Sequence, residues 1–158
     1  MRIGGEWFVG DDGLARPVVR GEVFSASGAW IGAPFLIDTG ADRTVLSAVV
    51  LGLLDLPAGT SQDRIGGLGG VVSSVSVETK IRLTREAGKK VHFRGEFAAV
   101  SELDALDMCI LGRDITGLFA VIVDQPSATV MLTPRTASLR DRRDLIPSKS
   151  ADRRAKIT

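Results

Sequence analysis

A single cysteine, Cys109, excludes an intrachain disulfide framework. A single histidine, His92, leaves no Cys/His zinc site, and no Ser-His-Asp triad unless His92 supplies it. No uninterrupted apolar run approaches the roughly 18–20 residues of a membrane span. The first apolar residues are broken by Glu6, Asp11 and Asp12, unlike a signal peptide. These absences lead to the expectation of a soluble, cytoplasmic protein. What is present fits one globular domain: 158 residues, 44% hydrophobic and 25% charged. A chain of that length buries a core without a metal or disulfide staple.

The net charge of +1 conceals an asymmetry. From Arg135 to Thr158 there are eight Lys/Arg against three Asp, so the tail carries +5 and the body −4. A body this acidic is not itself a nucleic-acid binder. The tail has few large apolar residues and is expected to be mobile or only loosely docked. It reads first as a solvated extension; a tether to nucleic acid or an anionic membrane is the weaker reading.

Eighteen glycines and many short Val/Ile/Leu/Phe runs point to a β protein with tight turns. Val75, Val77, Thr79, Ile81 and Leu83 alternate with polar residues at period two, as in a half-buried strand. A turn over 86–90 and a return strand over 91–100 complete a hairpin. A second hairpin is expected over 121–132, and 17–24 pairs with 29–37 around Ala26-Ser27-Gly28. Helix is sparse. The spacing of Val45, Leu46, Val49, Val50, Leu53 and Leu54 predicts a short amphipathic helix within 41–54. Another is expected over 113–119, with Ile115 and Leu118 inward.

Three segments carry the chemistry. In the first, an apolar strand Phe35-Leu36-Ile37 runs into Asp38-Thr39-Gly40-Ala41-Asp42. A carboxylate at the end of a buried strand needs donors or a partner. The bland alternative is a helix N-cap at Asp38 or Thr39. The second is Arg64-Ile65-Gly66-Gly67-Leu68-Gly69-Gly70, whose glycines free the backbone to lie close against a ligand. No Lys-Ser/Thr follows and the next residues are strand-like, so phosphate-loop and dinucleotide readings fail. Either it is a hairpin tip without function or a flap whose amides bond an extended substrate. The third, Ile110-Leu111-Gly112-Arg113-Asp114, ends an apolar strand on an arginine. That arginine is either a surface residue or buried and paired with Asp42, where a planar guanidinium suits a carboxylate.

Taken in this order, the three segments resemble the retropepsins, the single-domain aspartic proteases of retroviruses and their cellular relatives. The resemblance covers roughly Pro17 to Leu132. It implies an all-β fold, a closed β-barrel with one or two short helices, active as a two-fold homodimer. Residues 1–16 then form an N-terminal extension, 17–134 the protease domain, and 135–158 a basic, flexible tail. Asp38, Thr39 and Gly40 of each subunit would be catalytic, with the two Asp38 carboxylates sharing a proton and activating a water. Thr39 would bond across the dimer and Gly40 would offer its carbonyl to substrate. Ala41, Asp42, Ile65, Gly66, Gly67 and Leu68 would bind an extended peptide, in pockets that prefer apolar side chains. Gly112, Arg113 and Asp114 would brace the site from behind. No cofactor or metal is implied. In the viral enzymes the termini interleave to build the dimer; the extra segments here imply a different interface, with the 121–132 hairpin as the candidate. The alternative function is a non-catalytic peptide-binding or oligomerisation module on the same scaffold. The intact Asp38-Thr39-Gly40 favours the enzyme, because a binder has no need of a buried carboxylate pair. Cys109, Trp7 and Trp30 read as packing residues and His92 as a surface residue.

Overall fold

The computed structural model describes residues 2–67 and 70–135, with residues 60–72 described through their backbone alone. The expected first pair of strands forms as β3 (Ala15–Phe24) and β4 (Trp30–Ile37), joined by a turn closed by Ser25 N–H donating to Ala29 O. On β3, Val19, Gly21 and Val23 point inward and Arg20, Glu22 and Phe24 outward, which is the alternation of a strand with one buried face. The expected hairpin over 75–100 is β7 (Gly70–Thr84) and β8 (Lys90–Val100), with Val77, Ile81 and Leu83 fully buried. The buried Thr79 hydroxyl donates to Phe24 O at 2.6 Å, so it enters the core with its polar group satisfied.

Before β7 runs β6 (Gly59–Gly67), antiparallel to it with Gly67 opposite Gly70. Two short strands complete this sheet: β5 (Val45–Leu46) and β9 (Cys109–Leu111). β9 lies parallel to β4, and β5 sits between β9 and β8. With β2 (Glu6–Val9) on β3, the sheet order is β2-β3-β4-β9-β5-β8-β7-β6. A further pairing of β3 with β7 brings the sheet back on itself, with β2 and β6 as its end strands among the described residues. The architecture is all-β, as expected, and barrel-like without being strictly closed. At the seam Gly21 faces Ala33 on one side and Leu83 on the other. A Cβ there would lie 2.8 Å from Leu83 Cδ2 and 2.9 Å from the Phe35 ring, so the core fills the space a side chain would need.

A separate three-stranded sheet has the order β1-β11-β10, from β1 (Ile3–Gly4), β10 (Phe119–Asp124) and β11 (Thr129–Pro134). The expected second hairpin is thus present. Residues 3–9, set apart from the body in the sequence reading, are part of it: Ile3 opposes Leu132, and both are fully buried. The tail from residue 136 lies outside the described residues. Among those described, no helix is long and apolar enough to cross a membrane.

Both helices are shorter than their apolar spacing predicts. Helix α1 spans Ala48–Leu54, capped by Ser47, whose hydroxyl accepts from Val50 N–H. Val45 and Leu46 are buried in β5 instead, and Val49 and Leu53 face outward, 59% and 58% exposed. The slot between β8 and β9 takes this pair as a strand, a long-range choice that period counting cannot register. Helix α2 spans Arg113–Thr116 and ends at Gly117, whose N–H returns to Arg113 O. Leu118, expected inward, is exposed, because the chain turns there so that Phe119 is buried as the first residue of β10.

On the outer face Glu22 accepts from Arg82 Nε and Nη2, each at 2.7 Å, and from Lys90 Nζ at 2.9 Å. Hydrogen bonding to Arg82, then to Lys90, lowers its carboxyl from the usual 4.5 to about 2. A folded value below the unfolded one stabilises fully above the unfolded value and is lost as pH falls through the folded one. The melting-temperature advantage of wild type over Glu22→Gln is therefore expected to shrink as pH drops from about 5 to about 2. A difference that stays constant over that window would mean the fork is open in solution.

Candidate active site

Strand β4 delivers Asp38 to the end of the parallel pair β4–β9, where its N–H donates to Leu111 O at 3.2 Å. The chain then turns through Thr39 and Gly40. That turn wraps the Asp38 carboxylate: Oδ1 accepts from Gly40 N–H at 2.8 Å and from Ala41 N–H at 3.2 Å. Among the described residues Oδ2 has no protein donor, and Asp38 is half-buried. Oδ1 is thus held by backbone amides. Asp38 is not a helix N-cap; that role belongs to Ser47. Thr39, Gly40 and Asp42 are exposed, and Ala41 is half-buried.

The Gly112-Arg113-Asp114 segment is hydrogen-bonded to this turn through its backbone. Arg113 N–H donates to Ala41 O at 2.8 Å and Asp114 N–H to Asp42 O at 3.2 Å. Arg113 and Asp42 are ion-paired, as the sequence suggested, but their side chains are 59% and 80% exposed. The expected burial of this pair is not observed, because backbone hydrogen bonds join the two segments and leave both side chains outside. An exposed pair contributes about 0–1 kcal/mol. Arg113→Lys is therefore expected to shift the chain's stability by no more than that, read as a melting temperature within a few degrees of wild type.

The buried brace is a residue that sequence reasoning passed over. Thr44 is fully buried. Its N–H lies 3.0 Å from both Asp114 carboxylate oxygens, its hydroxyl donates to Asp114 Oδ1 at 2.7 Å, and the same hydroxyl accepts from Gly112 N–H at 3.2 Å. Asp114 also accepts from Ile115 N–H at 2.9 Å. The only signal in the sequence was a threonine just before the apolar pair Val45-Leu46; its partners lie about seventy residues away. Next to it Ser47 N–H lies 3.4 Å from Cys109 Sγ, and burial pushes the Cys109 thiol up, in keeping with a core residue.

Ile65, Gly66 and Gly67 run along β6 toward the hairpin tip, so the glycine-rich segment is a hairpin end, as read. Leu68, expected at its apex, lies outside the described residues. Among those described, no three His, Cys, Asp or Glu side chains come together to hold a metal. His92 is exposed, its ring 5.6 Å from that of Trp30.

Three solved structures are similar to this chain. The EIAV protease complexed with the inhibitor HBY-793 is 26% identical, with a TM-score of 0.49 over 65% of this chain and 86% of that one. A retropepsin-like aspartic protease from Rickettsia conorii is 15% identical, with a TM-score of 0.49 over 84% of this chain and 88% of that one. The retroviral protease-like domain of Ddi1 from Leishmania major is 18% identical, with a TM-score of 0.44 over 77% and 96%. The sequence matches no protein-family model and no curated protein.

Proposed function

We propose that the chain is a retropepsin-like aspartic endopeptidase that works as a homodimer. The observation that carries this reading is Asp38, half-buried at a strand end, with one carboxylate oxygen fixed by the Gly40 and Ala41 amides and the other open. The chain has one Asp-Thr-Gly, so a site with two such carboxylates needs two chains related by a two-fold axis. Two carboxylates a few ångströms apart share one proton. The ionised Asp38 takes a proton from a water held between them, and that water attacks the peptide carbonyl. The protonated Asp38 gives its proton to the carbonyl oxygen. On collapse of the tetrahedral diol one hydroxyl returns its proton to the second Asp38 and re-forms the carbonyl, the C–N bond breaks, and the proton gained by the first Asp38 passes to the departing amine.

The substrate lies extended between the Asp38 turns and the β6–β7 hairpins, pairing its backbone as an added strand. Thr39, exposed on the protomer, bonds across the dimer, and the exposed Gly40 and Asp42 meet the substrate backbone. Asp114, Thr44 and Gly112 hold the turn rigid from behind, as a preorganised acid–base pair requires.

A peptide library incubated with the protein over a range of concentrations, with and without pepstatin, tests the reading. Cleavage that pepstatin blocks, with specific activity falling on dilution, is the expected result. No cleavage at any pH from acid to neutral, by protein shown to be folded, refutes it and leaves a peptide-binding module.

A further inference from the structure

The body's net charge of −4 speaks against a polyanionic partner, but its distribution does not. Residues 80–94 hold six cations, Lys80, Arg82, Arg85, Lys89, Lys90 and Arg94, against one acid, Glu86. That segment stands at +5, so the rest of the body stands at −9. It comprises the end of β7, the turn after it and the start of β8. Lys80 lies opposite Arg94, Arg82 opposite His92 and Thr84 opposite Lys90, three rungs about 7 Å apart, each with a cation. Ile81 and Leu83 are fully buried, so these alternate positions share the outer face. The acids on that face have partners: Glu22 pairs with Arg82 and Lys90, Glu78 with Arg94, and Glu96 accepts from Ser76. Lys80, Arg85 and Lys89 have no ion pair among the described residues. Arg85 is half-buried, and its buried Nε has no acceptor.

Aromatic rings lie among these cations. Phe24 and Trp30, half-buried side by side on β3 and β4, have ring centroids 5.0 Å apart. Lys80 Nζ lies 5.1 Å over the Phe24 ring, and the Arg82 guanidinium stacks 4.0 Å over Trp30. The exposed His92 ring is 5.6 Å from Trp30. We propose that this face binds single-stranded nucleic acid, with phosphates on Lys80, Lys89 and Arg94 and bases against His92 and the Arg82–Trp30 stack. A single strand uses both the charge and the flat rings, since its unpaired bases stack on aromatic and guanidinium planes. An anionic membrane uses cations together with exposed apolar side chains that enter the lipid. No exposed large hydrophobic lies between residues 54 and 102 among the described residues.

The basic tail starts on the same side. Glu86 N–H donates to Arg2 O at 3.0 Å, and the next residue, Ile3, opposes Leu132 on β11. The described chain ends three residues later at Arg135, so the +5 of the tail adds to the field of this turn rather than opposing it. The proposed face shares no residue with the Asp38 site, and its test does not depend on the protease reading.

Fluorescence anisotropy of a labelled oligouridine of about 12 nucleotides, titrated with the full chain, tests the proposal. Wild type is expected to bind with a Kd of about 1–100 μM, weakening steeply with salt. The combined variant Lys80→Gln, Lys89→Gln, Arg94→Gln is expected to bind at least about tenfold more weakly, with a salt slope smaller by about 2. Its melting temperature is expected to stay within a few degrees of wild type, as all three side chains are exposed. Lys89→Glu alone, in the turn, is expected to weaken binding about threefold or more and decides the matter should the combined variant unfold. Arg140→Gln, Arg142→Gln, Arg143→Gln in the tail is expected to keep binding within about threefold of wild type. Wild type that does not bind oligouridine overturns the proposal. Binding lost in the tail variant and kept in the face variants overturns it too, and assigns the contact to the tail. A hairpin RNA duplex bound as tightly as oligouridine removes the stacking and overturns the single-strand assignment. Phosphatidylserine vesicles that bind wild type but not the face variants, with no binding of oligouridine, give the face to a lipid surface instead.

Discussion

Asp38→Asn is expected to abolish peptide cleavage, a loss of about 100- to 10,000-fold or more, while the chain stays folded. In the proposed mechanism this side chain has two roles. Asparagine keeps an oxygen in the place of Oδ1, so the Gly40 and Ala41 amides retain their acceptor. What it loses is the capacity to ionise, and with it the base that the proposed mechanism needs. Asp38→Ala removes the acceptor as well, leaving two amides in a half-buried turn short of a partner. The alanine variant is therefore expected to be less stable than the asparagine variant by about 1 kcal/mol, read as a lower melting temperature, with neither variant cleaving peptides. Excess Asp38→Asn protein added to wild type is expected to suppress activity further, as mixed dimers hold only one functional carboxylate. An asparagine variant that cleaves at the wild-type rate would remove Asp38 from the mechanism.

Gly112→Ala is expected to have the largest effect on stability. Gly112 has φ −84°, a conformation any residue adopts, so backbone freedom is not what glycine supplies here. The reason is space. An added Cβ would overlap the Arg43 carbonyl carbon and oxygen and lie 2.7 Å from Thr44 N, all of them backbone atoms. The 43–44 peptide would have to move, and Thr44 carries the hydrogen bonds to Asp114 and from Gly112. A loss of about 2–4 kcal/mol is expected, with cleavage reduced even where the chain remains folded. Gly52→Ala is the control: it lies in α1 with nothing within 4 Å of its Cβ. There alanine is expected to stabilise by up to about 1 kcal/mol through helix propensity. Calorimetry of both variants checks the pair, and equal melting temperatures would contradict the tight contact at Gly112.

Much of the strand content is legible locally. The Val75–Leu83 alternation, the glycine-rich turns and the 121–132 hairpin each follow from neighbours in sequence, and each appears where its pattern put it. The helices are less legible. Val45-Leu46 looks helical by period and becomes a strand, because β8 and β9 together offer it partners on both sides. Leu118 looks inward by period and faces out, because Gly117 ends α2 one residue earlier.

For the site, the sequence by itself determined which chemistry is on offer: one Asp-Thr-Gly after an apolar strand, a glycine-rich hairpin, and a Gly-Arg-Asp that must answer it. These are local facts of residue type and order. Only the tertiary structure decided which residues hold that chemistry in place. Arg113 and Asp42 do pair, yet at the surface; the second joint is made by the buried Thr44, bonded to the exposed Asp114 and to the buried Gly112. Likewise only the sheet order shows that residues 3–9 belong to the body and that β10 is the end strand of its sheet among the described residues. The physical reason is the same in each case. Strand pairing and buried hydrogen bonds join residues far apart in the chain, and their energy depends on which partners the fold brings within about 3 Å. Local pattern records the preference of a segment; it does not record its partner.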